Sequence, residues 1–304
     1  MNSWELVVLG SGSARPTAHR NPSAHALHIG RKIYLIDCGE GTQMQLCKAH
    51  LSFEHIVAIF ITHLHADHTL GLFGLLASMS MTGRTLPLDL FAHSALQPLL
   101  NQFVSLFVTH LNFDINFHPL PREGGVYIFS DRQVCVSTIP LKHRIPTSGF
   151  KFQEPERVPN IKPEIVTQFQ LNKVQINTLK NGSSIRLKGG ELLTPESVLY
   201  QRFTPRSFAY MSDTLYNIAA LPYIEGVDFL YHEATYTQAL QALAYKTYHS
   251  TAQQAAQFAK LAGVKHLLIG HYSARYPNPN LLLTEAQEIF PQTLLAKELD
   301  IHHI

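Results

Sequence analysis

The chain has 304 residues, of which 45% are hydrophobic and 15% charged, enough apolar material for one large α/β domain or two smaller ones, and we expect one. No apolar run approaches the roughly 18 to 20 residues that a membrane span needs, and the opening MNSWELVVLG lacks the regions of a secretory signal, so we expect a soluble, cytoplasmic protein. The cysteines Cys38, Cys47 and Cys135 have no CxxC spacing, which argues against a disulfide framework and against a thiolate zinc site.

The net charge of +2 conceals an uneven distribution of charge along the chain. Residues 142–206 carry eleven Lys or Arg against five Asp or Glu, a local charge of +6. Such a segment is typical of a surface that meets phosphates, although a solvated insertion with spare lysines is the alternative. Eighteen histidines are the other unusual feature of the composition, and their positions need an explanation.

Short apolar runs alternate with segments of helical period, which predicts an α/β fold. Early strands are predicted at residues 5–10, 24–29, 32–37 and 56–61. The sequence then becomes helical, and the apolar residues spaced for one buried face are Leu70, Phe73, Leu76 and Met79. Residues 150–195 differ, because they are rich in Pro, Lys, Asn and Gln and have a weak period, so we expect an inserted arm there.

A further helix is predicted from residue 252, with Ser250 or Thr251 as its cap and Gly263 as its stop. Its apolar face is expected to consist of Ala255, Phe258, Ala259 and Ala262. Three later strands end in residues of coordinating type, which are Asp213, the pair His232 and Glu233, and His271. In layered α/β folds, catalytic and binding residues lie in loops at one edge of the sheets, so we expect these strand ends to lie close together.

The stretch ITHLHADHTLGL, residues 61–72, places three histidines and an aspartate in six positions behind a buried strand. His63 and His65 lie two apart, so their side chains leave an extended segment on the same face, while Asp67 and His68 enter the next helix and point toward a neighbouring volume. One segment can therefore supply two adjacent metal ions, and imidazole with carboxylate suits Zn²⁺. A polar helix cap with chance histidines is the alternative, but it gives no reason for four ligand-type residues together.

The motif His63-x-His65-x-Asp67-His68 is similar to the signature of the metallo-β-lactamase superfamily. The surrounding segments resemble ribonuclease Z, a family of zinc endonucleases that trim the 3′ trailer from precursor tRNA, and they occur in the expected order: GSGSARPTAHRNPSAHAL, DCGEGTQMQL, PLKHRIPTSGF, AYMSDT, YHEATY, HSTAQQAA and GHYSARY. The resemblance covers nearly the whole chain. It implies a metallo-β-lactamase fold, a four-layer αβ/βα sandwich formed by residues 1–304 as a single domain, with a protruding arm at 150–195.

The same resemblance implies two Zn²⁺ ions per subunit, with Mn²⁺ or Fe²⁺ as substitutes. Motif by motif, the first site would be completed by His63, His65 and His143, and the second by Asp67, His68 and His271. Asp213 would bridge both ions. A bridging carboxylate that holds two divalent ions roughly 3.5 to 4 Å apart is the arrangement that phosphodiester hydrolysis uses.

Further roles are implied beside the metal ligands. His249 is expected to act as general acid at the leaving 3′-oxygen, oriented by Glu233, and Asp67 is expected to orient the attacking hydroxide as well as to ligate. His232 is left open between an active-site role and a structural one. For binding of substrate phosphates the candidates are Arg20 and Arg275, each with a salt bridge inside the fold as the alternative.

In this family the arm clamps the tRNA elbow, often from the other subunit of a homodimer, so the resemblance implies precursor tRNA as substrate and a second copy as partner. This chain departs from the family pattern in two places. It has no Gly-Pro dipeptide between residues 150 and 206, and Ala92-His93 stands where relatives often have Gly-Pro.

Three other functions compete with tRNA processing. A phosphodiesterase of the same fold acting on cyclic nucleotides or small phosphodiesters would not need the arm. A noncatalytic RNA-binding module predicts missing ligands, and none is missing from the sequence. Hydrolysis of lactams or thioesters would need neither the arm nor the YHEATY and HST segments.

Overall fold

Strands and helices follow the apolar periodicity closely. In the computed structural model, residues 3–108, 110–156, 159–200 and 204–304 are described. The strands among them are β1 Trp4–Gly10, β2 Ala24–Ile29, β3 Lys32–Ile36, β4 Ile56–Phe60, β5 Leu88–Ala92, β6 Ile115–Pro119, β7 Tyr127–Ser130, β8 Cys135–Pro140, β9 Ser148–Gln153, β10 Asn160–Ile161, β11 Ile185–Arg186, β12 Leu192–Leu193, β13 Leu199–Tyr200, β14 Ser207–Met211, β15 Phe229–Glu233, β16 His266–Gly270, β17 Thr293–Leu295 and β18 Ile301–His303.

The helices lie between these strands. They are α1 Thr42–Lys48, α2 Ala66–Met81, α3 Leu96–Phe103, α4 Pro163–Gln168, α5 Lys173–Lys180, α6 Pro195–Val198, α7 Leu221–Ile224, α8 Gln241–Thr247, α9 Ala252–Ala262 and α10 Asn280–Gln287. Tight turns of 3₁₀ helix occur at Phe53–His55, Ile218–Ala220 and Gln238–Leu240, and a π-helical turn at Val104–Val108 continues α3. No helix of the described residues is both long enough and apolar enough to cross a membrane.

The chain folds as two compact units. The body comprises the described residues up to Gln153 and from Ser207 onward, and the inserted unit spans Glu154–Arg206. The arm predicted at 150–195 overlaps the inserted unit but differs from it at both ends. Residues 150–153 belong to strand β9, which pairs with β8 and β14 in the body, and residues 196–206 belong to the inserted unit.

Two large mixed sheets form the body, each with seven strands in the described part of the chain. The first sheet has the order β18-β1-β2-β3-β4-β5-β6, and its strands β3 to β6 are parallel. The second has the order β17-β16-β15-β14-β9-β8-β7, and its strands β14 to β17 are parallel. Parallel strands need covered faces, and the helices supply the cover.

Three apolar cores separate four layers in the body. One core joins strands β1 to β5 to helices α1, α2 and α3, and a second joins β14 to β17 to α7, α9 and α10. The third contains side chains of both sheets, among them Trp4, Phe60, Phe150 and Phe208. Helices outside and two sheets inside make the αβ/βα sandwich that was predicted, so the predicted fold class is confirmed.

Helix α2 corrects one sequence expectation. Its buried apolar side chains are Leu72, Leu75, Leu76 and Met79, whereas Leu70 is exposed and Phe73 only half-buried. The buried face is set by His68, which lies four residues before Leu72 and points into the body. Gly71 lets this helix approach closely, because a Cβ there would lie 1.9 Å from the Gly39 carbonyl oxygen.

Helix α9 follows the sequence prediction at both ends. Thr251 caps it by accepting a hydrogen bond from the Gln254 backbone N–H, and Gly263 ends it in a left-handed conformation with φ of 63°. The predicted apolar face is buried.

The inserted unit has a small core of its own. The buried residues in it are Ile161, Leu171, Leu179, Leu193 and Val198. Strand β10 pairs with β13 and β11 with β12, each over two residues. At its base the Glu154 N–H donates to the Arg206 carbonyl over 2.8 Å, and the Arg206 guanidinium donates to the Glu154 carboxylate.

Candidate metal centre

Strand ends of both sheets meet at one edge of the body, as predicted. His63 and His65 follow β4, and Asp67 and His68 lie in the first turn of α2. The second sheet contributes the residues after β14 and β16, Asp213 and His271, together with Glu233 at the end of β15. His143 comes from the loop between β8 and β9. A cavity of about 430 Å³ is lined by five of these residues, His65, Asp67, His143, Asp213 and His271.

The first group of donors is formed by His63, His65, His143 and Asp213. His63 Nε2 lies 2.9 Å from His65 Nδ1, and His143 Nε2 lies 3.3 Å from the same atom. The Asp213 Oδ2 atom is 3.6 Å from His63 Nε2 and 3.7 Å from His143 Nε2. Zinc bonds of about 2.0 to 2.1 Å in a tetrahedron put neighbouring donors about 3.3 Å apart, so this group fits a zinc ion.

The second group is formed by Asp67, His68 and His271, with the other oxygen of Asp213. Asp213 Oδ1 lies 3.4 Å from His68 Nε2 and 3.2 Å from His271 Nε2. Both imidazole nitrogens are buried without a hydrogen-bond partner. A cation between these atoms would satisfy them, and because each Asp213 oxygen faces one group, the carboxylate is placed to bridge two ions.

Asp37 fixes the histidines that come from the first sheet. The His68 Nδ1–H donates to Asp37 Oδ2 over 2.8 Å, and the Thr62 hydroxyl donates to Asp37 Oδ1 over 2.9 Å. The same hydroxyl accepts from His63 Nδ1 at 3.0 Å. These contacts hold the proton on Nδ1 and leave each Nε2 lone pair free for a metal. Asp37 takes up this position with a φ of 56°, an uncommon value for a residue other than glycine.

Two further acceptors fix the histidines on the opposite side. The His143 Nδ1–H donates to the Tyr248 carbonyl over 2.9 Å, and Tyr248 has a φ of 63°. His271 Nδ1–H donates to the Thr235 hydroxyl over 3.0 Å, and that hydroxyl donates to Glu233 over 2.6 Å. Thr235 therefore connects a predicted metal ligand to the predicted acid pair.

The electrostatics favour an ionised carboxylate at the centre. Burial would raise the pKa of Asp213, but the surrounding imidazoles, foremost His271 and His68, hold that pKa well below its usual range. Burial lowers the pKa of His63, so its imidazole is neutral and able to ligate. Burial also acts to lower the pKa of His68, but the carboxylates of Asp37 and Asp213 raise it well above its ordinary value. A bound cation would take the place of the proton that these carboxylates favour.

Glu233 and His249 form a pair beside the two groups. His249 Nδ1 lies 2.9 Å from Glu233 Oε1, and the fully buried Glu233 also accepts from the backbone N–H groups of Thr214 and Thr235. Burial would lower the pKa of His249, but the Glu233 and Asp213 carboxylates raise it to about 9. The imidazole is therefore protonated at neutral pH and able to donate a proton.

His232 lies outside the groups found among the described residues that could hold a metal. It is buried, its Nδ1–H donates to the Glu233 carbonyl over 2.7 Å, and its ring contacts Phe258 of α9. These contacts favour a structural role for His232 over a role in the active site.

The two arginines predicted to bind substrate lie in different environments. The Arg20 guanidinium donates to the backbone carbonyls of Tyr276 and Pro277 and stacks on Tyr272, so it joins two loops of the body. Arg275 is exposed, and its guanidinium stacks over the ring of Tyr236, which lines the cavity.

Four residues that the sequence interpretation missed hold the predicted ligands in place: Asp37, Thr62, Thr235 and Tyr248. Asp37 follows strand β3 as the ligands follow theirs, so the same strand-end pattern could have indicated it. Thr235 lies inside the quoted YHEATY segment. Tyr248 acts through its carbonyl oxygen, for which the sequence carries no signal.

Comparison with known proteins decides the family. The family model of anti-Pycsar protein Apyc1 matches residues 4–146, less than half of the chain. A ribonuclease Z from Phocaeicola vulgatus is 41% identical over 298 residues, which covers 98% of this chain and 96% of the relative. The chain belongs to the ribonuclease Z family. It is therefore an endoribonuclease and a metal-dependent hydrolase, as the motifs indicated.

Solved structures of ribonuclease Z and its fold relatives agree with this assignment. The crystal structure of human tRNase Z, short form, matches with a TM-score of 0.71 and 26% identity and covers 98% of both chains. The metallo-β-lactamase fold protein YhfI from Bacillus subtilis matches over both whole chains with a TM-score of 0.72 and 16% identity. The second likeness concerns the fold alone.

Proposed function

We propose that this chain hydrolyses the phosphodiester that joins a precursor tRNA to its 3′ trailer, leaving a 3′-hydroxyl on the tRNA and a 5′-phosphate on the trailer. The observation that carries the proposal is the division of the Asp213 carboxylate between two groups of buried donors, with the hydrogen-bonded pair of His249 and Glu233 beside them. Cations held by the two donor groups would neutralise the charged phosphate, and His249 would protonate the 3′-oxygen, which is a poor leaving group.

Two Zn²⁺ ions are the proposed cofactors. His63, His65 and His143 would hold one and Asp67, His68 and His271 the other, with Asp213 between them, and Mn²⁺ or Fe²⁺ would suit the same donors. Bound there, the ions would supply an activated water and neutralise the charge that develops on the phosphate.

Side chains of the protein would carry out the proton transfer and orient the attacking water. His249 donates to the departing 3′-oxygen, and Glu233 keeps the ring oriented and stabilises its charged form over 2.9 Å. Asp67 would orient the attacking water as well as ligate. The backbone N–H of Ala14 donates to Asp67 Oδ2 over 2.7 Å, and among the described residues no hydrogen bond occupies Oδ1.

Arg275 is the proposed contact for a substrate phosphate, because it is exposed and held over Tyr236 at the cavity. The carbonyl contacts of Arg20 point instead to a role in holding the N-terminal loop. That loop also carries Ser13 and Ala14, which line the cavity.

The inserted unit is the proposed tRNA-binding arm. It carries eight Lys or Arg against five Asp or Glu, so half of the local +6 lies here and half comes from Lys142, Arg144 and Lys151 in the body. The cations Lys173, Arg186 and Lys188 are exposed and can reach a phosphate backbone. The unit supplies them without the Gly-Pro pair common in relatives.

A homodimer is proposed from an apolar face of the body. Phe107 and Leu106 are 78% and 76% exposed, and a row of ring contacts runs from Phe107 through Phe103 to Phe73. Leu70 and Leu99 extend this face. Exposed apolar patches of this kind mark association surfaces, and a second copy of the chain is the proposed occupant. Phe107→Asp should give a monomer in sedimentation velocity.

The function is tested by incubating zinc-loaded protein with a 3′-extended precursor tRNA and, separately, with 2′,3′-cyclic AMP and bis(p-nitrophenyl) phosphate. The expected result is one cut at the trailer junction, with the ends identified by 3′-ligation and phosphatase treatment. Hydrolysis of the small diesters without any tRNA cleavage would favour the small-phosphodiester function. A cytoplasmic location is part of the same proposal, because the substrate is made there.

A further inference from the structure

Three neighbouring strands of the first sheet deliver side chains to the edge that holds the metal centre. Strands β4, β5 and β6 are parallel, so their carboxyl ends lie at the same edge. The metal-binding segment follows β4, His93 follows β5, and Arg122 comes shortly after β6. The second and third of these positions have no role in the metal centre.

These two residues line a cavity separate from the one at the metal groups. It has a volume of about 410 Å³, which suits a group of the size of one nucleotide. Its opposite wall is the loop between β8 and β9, including Lys142 and Ile145. His143 and Arg144 line both cavities, so the two meet beside the first metal group.

The chemistry of the lining suits a nucleotide. Arg122, Lys142 and Arg144 are exposed, no carboxylate lines the cavity, and none of the three has a carboxylate within ion-pair distance among the described residues. Leu120 and Leu141 supply an apolar wall. Unpaired guanidinium groups beside an apolar wall can bind a phosphate and a ribose or base together.

His93 adds a hydrogen-bond donor to the lining of this cavity. Its Nδ1 accepts from the Ala95 backbone N–H at 3.4 Å, which leaves the proton on Nε2. The ring is half-buried and lines the cavity.

The position of His249 decides which nucleotide the cavity would receive. His249 lines the metal cavity and not this one, and in the proposed reaction it stands at the departing 3′-oxygen. The nucleoside of the mature tRNA end therefore lies on the His249 side. The nucleoside joined to the phosphate through its 5′-oxygen must leave the metal centre in another direction, and the second cavity is reached past His143.

We propose that the cavity lined by His93, Leu120, Arg122, Leu141, Arg144 and Ile145 binds the first nucleotide of the trailer. This assignment rests on the proposed function. Arg122 contacts the phosphodiester that follows this nucleotide, His93 donates to its sugar, and the apolar wall packs on the nucleoside. Binding is tolerant of sequence, because the contacts are to the backbone and to an apolar surface.

The test compares Arg122→Ala and His93→Ala with the unaltered chain on three substrates. These are a precursor tRNA with a ten-nucleotide trailer, the same tRNA with a single trailing nucleotide, and bis(p-nitrophenyl) phosphate. Arg132→Ala, at an exposed arginine of the turn between β7 and β8, is the matched control. Thermal unfolding of each variant checks that the body remains folded.

For Arg122→Ala we expect KM for the long trailer to rise about tenfold and kcat to stay within about twofold. The slope of log binding constant against log salt concentration should decrease by about one, because one phosphate contact is lost. The single-nucleotide trailer has no following phosphodiester, so its KM should change less than about threefold. His93→Ala should raise KM for both precursors alike, and the small diester should be unaffected throughout.

Equal loss on both precursors for Arg122→Ala, or no loss on either, would overturn the assignment while leaving the proposed function intact. Failure of the unaltered chain to cut either precursor, with the small diester still hydrolysed, would overturn the proposed function and this assignment with it.

Discussion

The metal centre and the inserted unit hold their polar side chains in opposite ways. In the metal centre, His63, His68 and His271 are buried, and each has its second ring nitrogen fixed by a hydroxyl or a carboxylate. In the inserted unit, Lys173 and Lys188 are exposed. The difference matches the two tasks proposed for them, because cleavage needs donors held in place and RNA binding needs charges that can adapt.

The largest effect is expected from Asp213→Asn, which puts a neutral amide in place of the carboxylate that both donor groups share. Cleavage of precursor tRNA and of bis(p-nitrophenyl) phosphate should both fall by at least about a thousandfold, ~4 kcal/mol of transition-state stabilisation. Elemental analysis should find less zinc per chain. Equal metal content and activity above a tenth of the original would contradict the bridging role.

His249→Gln separates proton donation from metal chemistry. The 3′-oxygen of a ribose is a poor leaving group and p-nitrophenolate a good one, so the substitution should slow tRNA cleavage by about 10² to 10⁴ and hydrolysis of the small diester by less than about tenfold. Single-turnover rates on both substrates give the ratio. Equal slowing of the two would remove His249 from the leaving-group step.

Substitutions of Thr235 test whether the hydrogen bond that holds His271 Nδ1 affects metal binding. Thr235→Val keeps the shape and removes the hydroxyl that joins His271 to Glu233. Zinc affinity should fall by about 10- to 100-fold. Thr235→Ser restores the hydroxyl and should recover most of the affinity in a competition titration with a chelator, whereas a Ser variant as weak as the Val variant would point to packing.

The smallest effect is expected at Asp131, which belongs neither to the groups of metal donors nor to the inserted unit. This carboxylate accepts from Lys32 and Tyr34 and from two backbone N–H groups. Burial would raise its pKa, but these donors hold the pKa below the ordinary 3.8. The stabilisation is therefore present above pH 3.8 and is lost as the pH falls through the lower folded-state value.

Asp131→Asn should accordingly cost about 1 to 2 kcal/mol at neutral pH, lower Tm by a few degrees, and lose its effect in acid. The ratio of tRNA to small-diester activity should stay unchanged, since the substituted residue belongs to neither the metal centre nor the inserted unit. A changed ratio would mean that general loss of stability can imitate loss of substrate selection.

The sequence could predict the centre because several of its residues occupy repeated positions. Asp213, Glu233 and His271 each end or follow an apolar run, and parallel strands bring such ends to one edge. Family resemblance then supplied His143, which lies in a loop between antiparallel strands and has no comparable pattern of its own.

Other features depend on tertiary contacts that periodicity does not contain. Leu70 was expected to be buried, but His68 turns the inner face of α2 toward Leu72 and leaves Leu70 exposed. Arg20 was expected at the substrate, yet its guanidinium is taken by carbonyls more than 250 positions away. The bounds of the inserted unit are set by the register of β9 with β14, which composition does not reveal.

The most direct test replaces Glu154–Arg206 by a linker. Gln153 and Ser207 are partners in the antiparallel pair of β9 and β14, so about four Gly and Ser residues can join them as a hairpin without moving either strand. The replaced and intact proteins, both zinc-loaded, are assayed on precursor tRNA and on bis(p-nitrophenyl) phosphate. We expect kcat/KM for tRNA to fall roughly a hundredfold or more, with small-diester hydrolysis within about twofold. Unchanged tRNA cleavage would contradict the division of work between the metal centre and the inserted unit.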